Sequence, residues 1–274
     1  MNAQTKLSAV IITFNEEKKI DRCLSTLKWV DEIVVVDSFS TDSTVNKCKK
    51  YEAKVYQHAW PGNYSIQRNI AIGHASHDWV LSLDADEVVT KSLCDEIQEL
   101  LRMGPDADAY GIPRREYLSG RFISAGGFYP QYLIRLYRKS LGEWINPLHE
   151  RFVTRGNTKN LQNSILHDGS PTFKIFMDKF NYYSSIDAEA DYIVRNRKFS
   201  LFRAVFKPVE RFFGRFIKQK GYKDGIHGFY MAAVIAINYF LREMKIYELN
   251  YMEKNKDNWE SVCRKTVVGG DDAP

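Results

Sequence analysis

The chain has 274 residues, of which 44% are hydrophobic and 14% aromatic, enough for one substantial core with an appendage or for two modest domains. Its formal net charge of +5 is mild and no nucleic-acid-binding module is recognisable, so we expect no nucleic-acid partner. Four scattered cysteines indicate neither a disulfide framework nor a zinc site, and they suit a reducing compartment. We expect no signal peptide, because the first apolar run has the pattern of a core strand and no small-residue cleavage site follows it.

The first hundred residues alternate between strand and helix patterns. We predict strands at residues 7–14, 32–37, 53–57 and 78–83. Helices are expected to start near Asn15 and near Asp42 or Ser43, and to span 66–75 and 90–101. Continuous apolar strands that alternate with amphipathic helices predict an α/β fold with a mainly parallel sheet and helices on both faces.

Polar side chains follow three of these strands, at the sheet edge where parallel sheets bind their ligands. The polar ends are Thr13-Phe14-Asn15-Glu16, Asp37-Ser38 and Asp84-Ala85-Asp86. In extended backbone, Asp84 and Asp86 point to the same side. Two carboxylates on one side of a strand end indicate a site for a divalent metal ion.

The Asp-x-Asp triplet alone is weak evidence for a metal site. A second copy, Asp106-Ala107-Asp108, follows a loop-like stretch with no strand before it. An EF-hand starting at Asp84 is excluded, because its fifth and sixth positions hold Val88 and Val89. Turn and helix-cap roles for these carboxylates therefore remain the alternative to metal binding.

Aromatic and basic residues interleave from Tyr110 to Phe152, where we predict a further strand over 132–137. Arg114 and Arg135 in this region are candidates for holding phosphates or carboxylates of a ligand, because arginine pairs bidentately with both. The pair His149-Glu150 lies in a proline-containing loop and suits a base, a metal ligand or a salt bridge.

The stretch 198–223 carries eight Lys or Arg residues and one acidic residue. Its apolar residues Val209, Phe212, Phe213, Phe216 and Ile217 recur at helical spacing. This pattern predicts a helix in a membrane interface beside anionic lipid, and the alternative is a basic helix packed on its own domain. A more apolar helix at 228–241 is too short to span a bilayer, which takes about 20 residues, and is expected to end at Arg242–Lys245.

Five segments together carry a family resemblance. They are Val10–Glu17, Val34–Thr44, Gln67–Asn69, Leu81–Glu87 and Leu148–Glu150. In order and spacing they resemble the family 2 glycosyltransferases, and most closely the branch that adds glucose or a related hexose to lipopolysaccharide core. The resemblance implies a GT-A fold over residues 1–170, with a nucleotide-binding half (1–103) and an acceptor half (104–170). The basic and apolar stretches described above predict a helical membrane-associating or acceptor-side extension at 171–268, which the resemblance supports, followed by a tail at 269–274.

The resemblance also implies roles for individual residues. The nucleotide-sugar site would comprise Thr13, Asn15, Glu16, Asp37, Arg68, Asp84, Ala85 and Asp86. Of these, Asp37 would bind the uracil or ribose and Arg68 the base or pyrophosphate. Asp84 and Asp86 would hold the metal, Asp86 more directly, and His149 or His167 would complete its site. Glu150 matches the general base.

The implied reaction is inverting transfer of a hexose, with glucose the first candidate in this branch, from a UDP-sugar to a lipid-linked saccharide such as lipopolysaccharide core. A Mg²⁺ or Mn²⁺ ion would neutralise the departing diphosphate, and one base would activate the acceptor hydroxyl. The enzyme would act in the cytoplasm, peripherally bound to the inner face of the cytoplasmic membrane.

Two other functions fit part of this sequence. A nucleotidyltransferase also uses carboxylates and Mg²⁺, but it usually carries a glycine-rich loop where this chain reads Thr13–Lys18 without glycine. A catalytically inactive scaffold at a lipid surface would share the fold, since fold alone does not establish activity. Intact Asp84, Asp86 and Glu150 argue against that scaffold.

Overall fold

The computed structural model describes residues 5–146, 150–170 and 172–268, with side chains described as far as residue 255 except at 169–170. The chain divides into two compact units. Unit 1 comprises Met1–Ser124 and Phe128–Gly169, and unit 2 comprises Ala125–Gly127 and Ser170–Pro274.

Unit 1 is built from a large mixed sheet and four α-helices. In chain order its elements are β1 (Leu7–Thr13), α1 (Ile20–Ser25), β2 (Glu32–Asp37), α2 (Thr44–Lys50), β3 (Lys54–Gln57), α3 (Tyr64–Gly73), β4 (Trp79–Asp84), β5 (Glu87–Val89), α4 (Lys91–Met103), β6 (Ala109–Leu118), β7 (Arg121–Phe122), β8 (Gln131–Arg138), a 3₁₀ turn (Lys139–Leu141), β9 (Gly142–Ile145), β10 (Arg151–Thr154), β11 (Thr158–Asn160) and β12 (Ile165–Ser170).

The sheet runs in the order β3-β2-β1-β4-β8-β6-β12-β5. Its first four strands are parallel, as the alternating pattern predicted. In their register, Thr13 lies beside Asp37 and Ile12 beside Asp84, so the polar strand ends meet at one edge. The second half adds antiparallel strands: β8 pairs with β4 and with β6, and β12 pairs with β5.

Helices cover both faces of the sheet, which confirms the predicted fold class. Alternate residues of β1 enter two different apolar clusters, because successive strand side chains point to opposite faces. Ile11 packs in the cluster that contains Leu24 of α1 and Ile97 of α4. Val10 packs in the cluster that contains Ile72 of α3.

Helix α1 begins later than the sequence pattern predicted. Asn15 has a φ of +51° and therefore forms a turn rather than a helix start. Its backbone N–H donates to Ser40 Oγ at 2.8 Å, and its side-chain Oδ1 accepts from the Thr41 N–H at 2.8 Å. These hydrogen bonds join the loop that follows β1 to the loop that follows β2.

Unit 2 is helical. Its main elements are α5 (Phe173–Glu189) with a π-helical continuation (Ala190–Val194), α6 (Leu201–Phe213) with a π-helical continuation (Gly214–Lys218), a 3₁₀ turn (Gly221–Asp224) and α7 (Ile226–Val268). The expected helix end at Arg242–Lys245 is wrong, since α7 continues to Val268. Within the described residues, none of the helices combines the length and the apolar character needed to cross a bilayer.

Buried ion pairs connect the helices of unit 2. Asp191, which is almost fully buried, pairs with Arg242 of α7 at 2.7 Å and also with Arg197. Glu243 of α7 accepts from Arg203 Nε of α6 at 3.0 Å. Charged contacts therefore hold α6 against α7.

Candidate active site

The Asp84–Glu87 turn lies at the carboxyl edge of the parallel strands. Asp84 is the last residue of β4, Ala85 is buried, and Glu87 begins β5. The Asp84 backbone N–H donates to Glu87 Oε2 at 3.0 Å, which closes the turn. The turn thereby brings Asp84, Asp86 and Glu87 together at the carboxyl end of the buried strand β4.

Two arginines from different elements, one on a helix and one on a strand, each bind one oxygen of Asp84. Arg68 of α3 binds Oδ1, and Arg135 of β8 binds Oδ2 at 2.7 Å. Burial alone would raise the pKa of Asp84, but the charges of Arg135 and Arg68 outweigh it and hold this pKa well below its ordinary value. Asp84 is therefore ionised, and both of its oxygens face guanidinium groups.

Glu87 and Glu116 are site residues that the sequence did not reveal. Glu87 is fully buried, and its Oε1 lies 2.8 Å from Arg135 Nη2 and 3.4 Å from Arg114 Nη1. Glu116 lies two residues after Arg114 on β6 and forms an ion pair with it at 2.6 Å. Residues two apart on a strand share a face, which is the only sequence signal that links this pair.

His167 stands beside the Asp-x-Asp turn because β12 pairs with β5 in a register that sets it opposite Glu87. Its Nε2 lies 3.4 Å from Asp86 Oδ1, and its Nδ1 lies 2.6 Å from Glu116 Oε2. Burial would lower the pKa of His167, but the hydrogen bonds to Asp86 and Glu116 prevail and raise it to about 10. Burial likewise opposes ionisation of Asp86, yet the contact with His167 lowers the Asp86 pKa to about 2.

Glu150 is held by Arg68. Arg68 Nε and Nη2 donate to Glu150 Oε1 at 3.2 and 3.1 Å, and the Trp144 ring covers the guanidinium at 4.7 Å. Asn69 positions that tryptophan, since its side chain exchanges two hydrogen bonds with the Trp144 backbone. Arg68 thus links Glu150 to Asp84, and within the described part of the chain Glu150 Oε2 has no partner.

The ends of β1 and β2 form the neighbouring part of the edge. Asp37 is fully buried and accepts from the Ser40 N–H at 2.8 Å and from Ser40 Oγ at 2.5 Å. Thr13 Oγ1 is buried and has no hydrogen-bond partner among the described residues. The Glu16 N–H donates to Thr44 Oγ1 at 2.9 Å. A buried hydroxyl without a partner at this edge is suited to bind a polar ligand.

Comparison with known proteins identifies the family. A family model described as glycosyl transferase family 2 matches residues 8–182, which is more than half of the chain. The chain belongs to glycosyl transferase family 2. The resemblance inferred from the five segments and the expected GT-A type of fold are thereby confirmed.

Relatives of this glycosyltransferase align over nearly its whole length. An uncharacterized glycosyltransferase of Rickettsia typhi is 32% identical over 275 residues, covering 94% of this chain and 93% of the relative. The lipopolysaccharide core biosynthesis glycosyltransferase LpsC of Rhizobium meliloti is 29% identical over 250 residues, covering 88% and 92%. Among solved structures, S. aureus TarS 1–349 is 19% identical with a TM-score of 0.48, covering 91% of this chain and 92% of that one.

The glycosyltransferase site brings most of the expected residues to one edge. Arg68 joins Asp84 to Glu150, Asp86 lies two residues after Asp84 in the same turn and contacts His167, and Thr13 and Asp37 lie beside them. His149 lies outside the described residues. Arg68 and Arg135 are both buried, and their guanidinium groups contact carboxylates of the site. Their expected contacts with nucleotide and acceptor stay predictions.

The donor set of this glycosyltransferase fits a divalent cation that is shared with a ligand. Asp86 Oδ1 and His167 Nε2 lie 3.4 Å apart, and His167, whose pKa is raised to about 10, would release its Nε2 proton on binding the cation. The described residues contain no group of three His, Cys, Asp or Glu side chains placed to hold an ion alone. A Mn²⁺ or Mg²⁺ ion typically takes one or two carboxylates and completes its shell with phosphate oxygens and water.

Proposed function

We propose that this glycosyltransferase moves a hexose, with glucose the first candidate, from a UDP-sugar to a lipid-linked saccharide such as lipopolysaccharide core. The observation that carries the proposal is the Asp86–His167 pair, 3.4 Å apart, two residues along the same turn from Asp84, which Arg68 joins to Glu150. This arrangement puts groups for a diphosphate leaving group and a base for an acceptor hydroxyl in one network. The role of the LpsC relative in lipopolysaccharide core biosynthesis supports this acceptor class.

Glu150 is the proposed general base. One of its oxygens is held by Arg68, which fixes the direction of the carboxylate. The other oxygen is left to take the proton of the acceptor hydroxyl as that oxygen attacks the anomeric carbon. A single displacement of this kind inverts the anomeric configuration, so an α-linked donor gives a β-linked product. A positioned base contributes about 10²–10⁴-fold to such a step.

Asp86 and His167 are the proposed cation ligands, with His167 preferred to His149. When bound, a divalent cation neutralises the charge that develops on the departing diphosphate. Glu116 holds His167 through Nδ1 and so turns Nε2 toward Asp86. Asp84, the other proposed ligand, keeps Arg68 and Arg135 at the site through its two oxygens.

The remaining site roles complete the donor pocket. Thr13, Asn15, Glu16, Asp37 and Ala85 border the nucleotide, where Thr13 Oγ1 has an unused hydrogen-bonding capacity. Arg114, with a partly exposed side chain, is the proposed acceptor contact beside Arg135. We place the enzyme in the cytoplasm, peripherally bound at the inner face of the cytoplasmic membrane.

A thermal-shift titration with UDP, with and without Mn²⁺, tests the donor site. A ligand that binds only the folded state stabilises it by about 2.7 kcal/mol at a hundredfold excess over its dissociation constant. We expect UDP to stabilise the wild type in the presence of Mn²⁺, and Asp86→Asn and His167→Ala to lose that metal dependence. Asp106→Asn, in the second Asp-x-Asp triplet, is the matched control and should behave as wild type.

If UDP and Mn²⁺ leave the melting of a folded wild type unchanged, the assignment of nucleotide or metal is wrong, and GDP and CMP should be titrated next. If UDP binds, product analysis with UDP-hexoses separates a working transferase from an inactive scaffold. Proton NMR of the product then reports the anomeric configuration, and a retained configuration would contradict the single displacement.

A further inference from the structure

Helix α6 of unit 2 exposes its apolar side. Seven residues of this helix and its π-helical continuation are each more than half exposed: Leu201, Phe202, Val205, Phe206, Val209, Phe213 and Ile217. They recur every three or four positions, so they form a stripe along one side of the helix. Two of the rings, Phe202 and Phe206, stack on each other at 4.4 Å.

The opposite side of α6 faces α7. Ala204 is buried there, and Arg203 Nε donates to Glu243 Oε1 at 3.0 Å. The Arg211 guanidinium lies over the Tyr239 ring at 4.7 Å. A surface helix of a soluble domain ordinarily buries its apolar stripe and exposes its charges. In α6 this orientation is reversed, which argues against a basic helix packed on the domain through its apolar side.

Three lysines extend the stripe at its carboxyl end. Lys218, Lys220 and Lys223 are exposed, and in the part of the chain with described side chains they make no ion pair. The other basic residues of this stretch are engaged: Lys207, for example, pairs with Glu210 at 2.6 Å. The unpaired positive charge is therefore concentrated beside the exposed Tyr222 and Ile226.

We infer that the exposed apolar stripe of α6 and these three lysines, together called the docking face, bind the surface of an anionic lipid bilayer. The apolar side chains enter the boundary between headgroups and acyl chains, where exposed rings lose contact with water. The lysines contact the lipid phosphates, and each adds about 1 kcal/mol of attraction near an anionic surface. This inference concerns unit 2 alone and holds whatever nucleotide or sugar unit 1 uses.

Co-sedimentation of the full chain with sucrose-loaded vesicles tests the docking face without any sugar transfer. Vesicles of phosphatidylcholine alone are compared with vesicles that also contain phosphatidylglycerol. We expect strong binding to the anionic vesicles and weaker binding to the neutral ones. This difference should disappear at high salt, because salt screens the attraction between the lysines and the anionic lipids.

Two variants separate the two parts of the docking face. Lys218→Gln/Lys220→Gln/Lys223→Gln should lower the affinity for anionic vesicles by roughly a hundredfold and leave neutral vesicles almost unaffected. Phe202→Ser/Phe206→Ser should lower binding to both kinds by about tenfold or more. Lys28→Gln/Lys49→Gln/Lys50→Gln, which removes the same charge from exposed lysines of unit 1, should bind as wild type.

The outcomes that overturn the inference also contradict the proposed membrane attachment, but they are distinct from failure of donor binding or sugar transfer. A folded wild type that stays in solution with both vesicles contradicts it, as does equal loss in the unit 1 control. Light scattering supplies a second check: if Phe202→Ser/Phe206→Ser turns a dimer into a monomer while vesicle binding is absent, the stripe is a subunit interface. UDP binding measured on the same samples reports separately on unit 1.

Discussion

The two ends of the parallel sheet in unit 1 bury carboxylates in different ways. At the amino end, Glu32 begins β2 and accepts from Ser8 Oγ at 2.6 Å and from the Ser76 N–H and Oγ, both at 2.7 Å. Lys54 adds an ion pair at 2.7 Å. Burial opposes its ionisation, but these partners prevail and lower the pKa of Glu32 to about 2.

At the carboxyl end, several carboxylates share a few arginines. Arg135 pairs with both Asp84 and Glu87, and it retains a buried Nε without a hydrogen bond among the described residues. Thr13 Oγ1 is also buried without a partner among the described residues. At the amino end the buried carboxylate has its hydrogen-bond partners, which indicates that this end stabilises the fold. At the carboxyl end several carboxylates are crowded together and some polar atoms lack partners, which indicates that this end is adapted to bind a ligand.

Among substitutions of carboxylates and their partners at the two ends of the sheet, we expect the largest effect on catalysis. Glu150→Gln should lower the rate of sugar transfer by about 10²–10⁴-fold, because the amide cannot accept the acceptor proton. Donor binding should remain, since Arg68 still finds an oxygen at this position. Transfer assays and UDP titration check the two parts, and Glu143→Gln on β9 is the control. Equal loss of UDP binding would mean that Glu150 serves the donor instead.

Arg135→Ala should destabilise the fold by about 3 kcal/mol, because the fully buried Glu87 keeps only the longer contact with Arg114 and the partly buried Asp84 keeps only Arg68. Urea unfolding measures this loss. Arg138→Ala, three residues on along the same strand, removes longer ion pairs to Asp78 and Asp108 and should cost less than about 1 kcal/mol. Similar losses of unfolding free energy for the two variants would show that the carboxylates of the site do not depend on Arg135 as expected.

Glu32→Gln should destabilise the fold by about 2 kcal/mol at neutral pH, because the amide replaces a charged acceptor of several hydrogen bonds. The pKa of Glu32 is lower in the folded state than in the unfolded one, so its stabilisation is complete above the unfolded value of 4.5 and is lost as the pH falls toward about 2. Urea unfolding across this range should show a smaller acid-induced loss in Glu32→Gln.

The exposed Glu99→Gln, whose carboxylate pairs with Arg102 on the surface of α4, is the control for Glu32. It should follow the wild-type pH dependence closely, because exposed ion pairs contribute little to stability. If Glu32→Gln and Glu99→Gln have the same acid profile, the amino end does not carry the stabilising carboxylate.

The smallest of these effects concerns Glu116. Glu116→Gln should weaken Mn²⁺ binding in the presence of UDP by about 10–100-fold, because His167 loses the carboxylate that orients it. Calorimetry of Mn²⁺ binding measures this directly, and the circular dichroism spectrum should be unchanged. Unaltered Mn²⁺ affinity would leave Glu116 as a partner of Arg114 only.

The sequence predicted those parts of the site that depend on strand ends. Asp37 and Asp84 were found because parallel strands bring their carboxyl ends to one edge. Glu87 and Glu116 were not predicted as site residues. Glu87 lies only three residues after Asp84, but its partners Arg135 and Arg114 come from distant strands, and Glu116 reaches that edge on β6 through antiparallel pairing between distant segments. The choice between His149 and His167 was open for the same reason: only the register of β12 on β5 shows that His167 meets the Asp-x-Asp turn.

The predicted end of the apolar helix in unit 2 was wrong for another physical reason. The sequence becomes polar at Arg242, and we expected the helix to stop there. A change of polarity marks the loss of buried neighbours, whereas a helix ends at residues that disfavour it. Between Arg242 and Val268 the sequence of α7 has neither glycine nor proline.

The arrival of His167 on β12 has a consequence for protein engineering. The segment 1–103 contains the parallel strands β1 to β4 and Asp86, but it lacks both His167 and Glu116. A chimera that received this segment alone would have the parallel strands that border the proposed nucleotide site. It would not have the His167 imidazole that is proposed to bind the cation. Exchange of donor preference between relatives therefore calls for crossover points after β12, so that the strand and the turn it meets are inherited together.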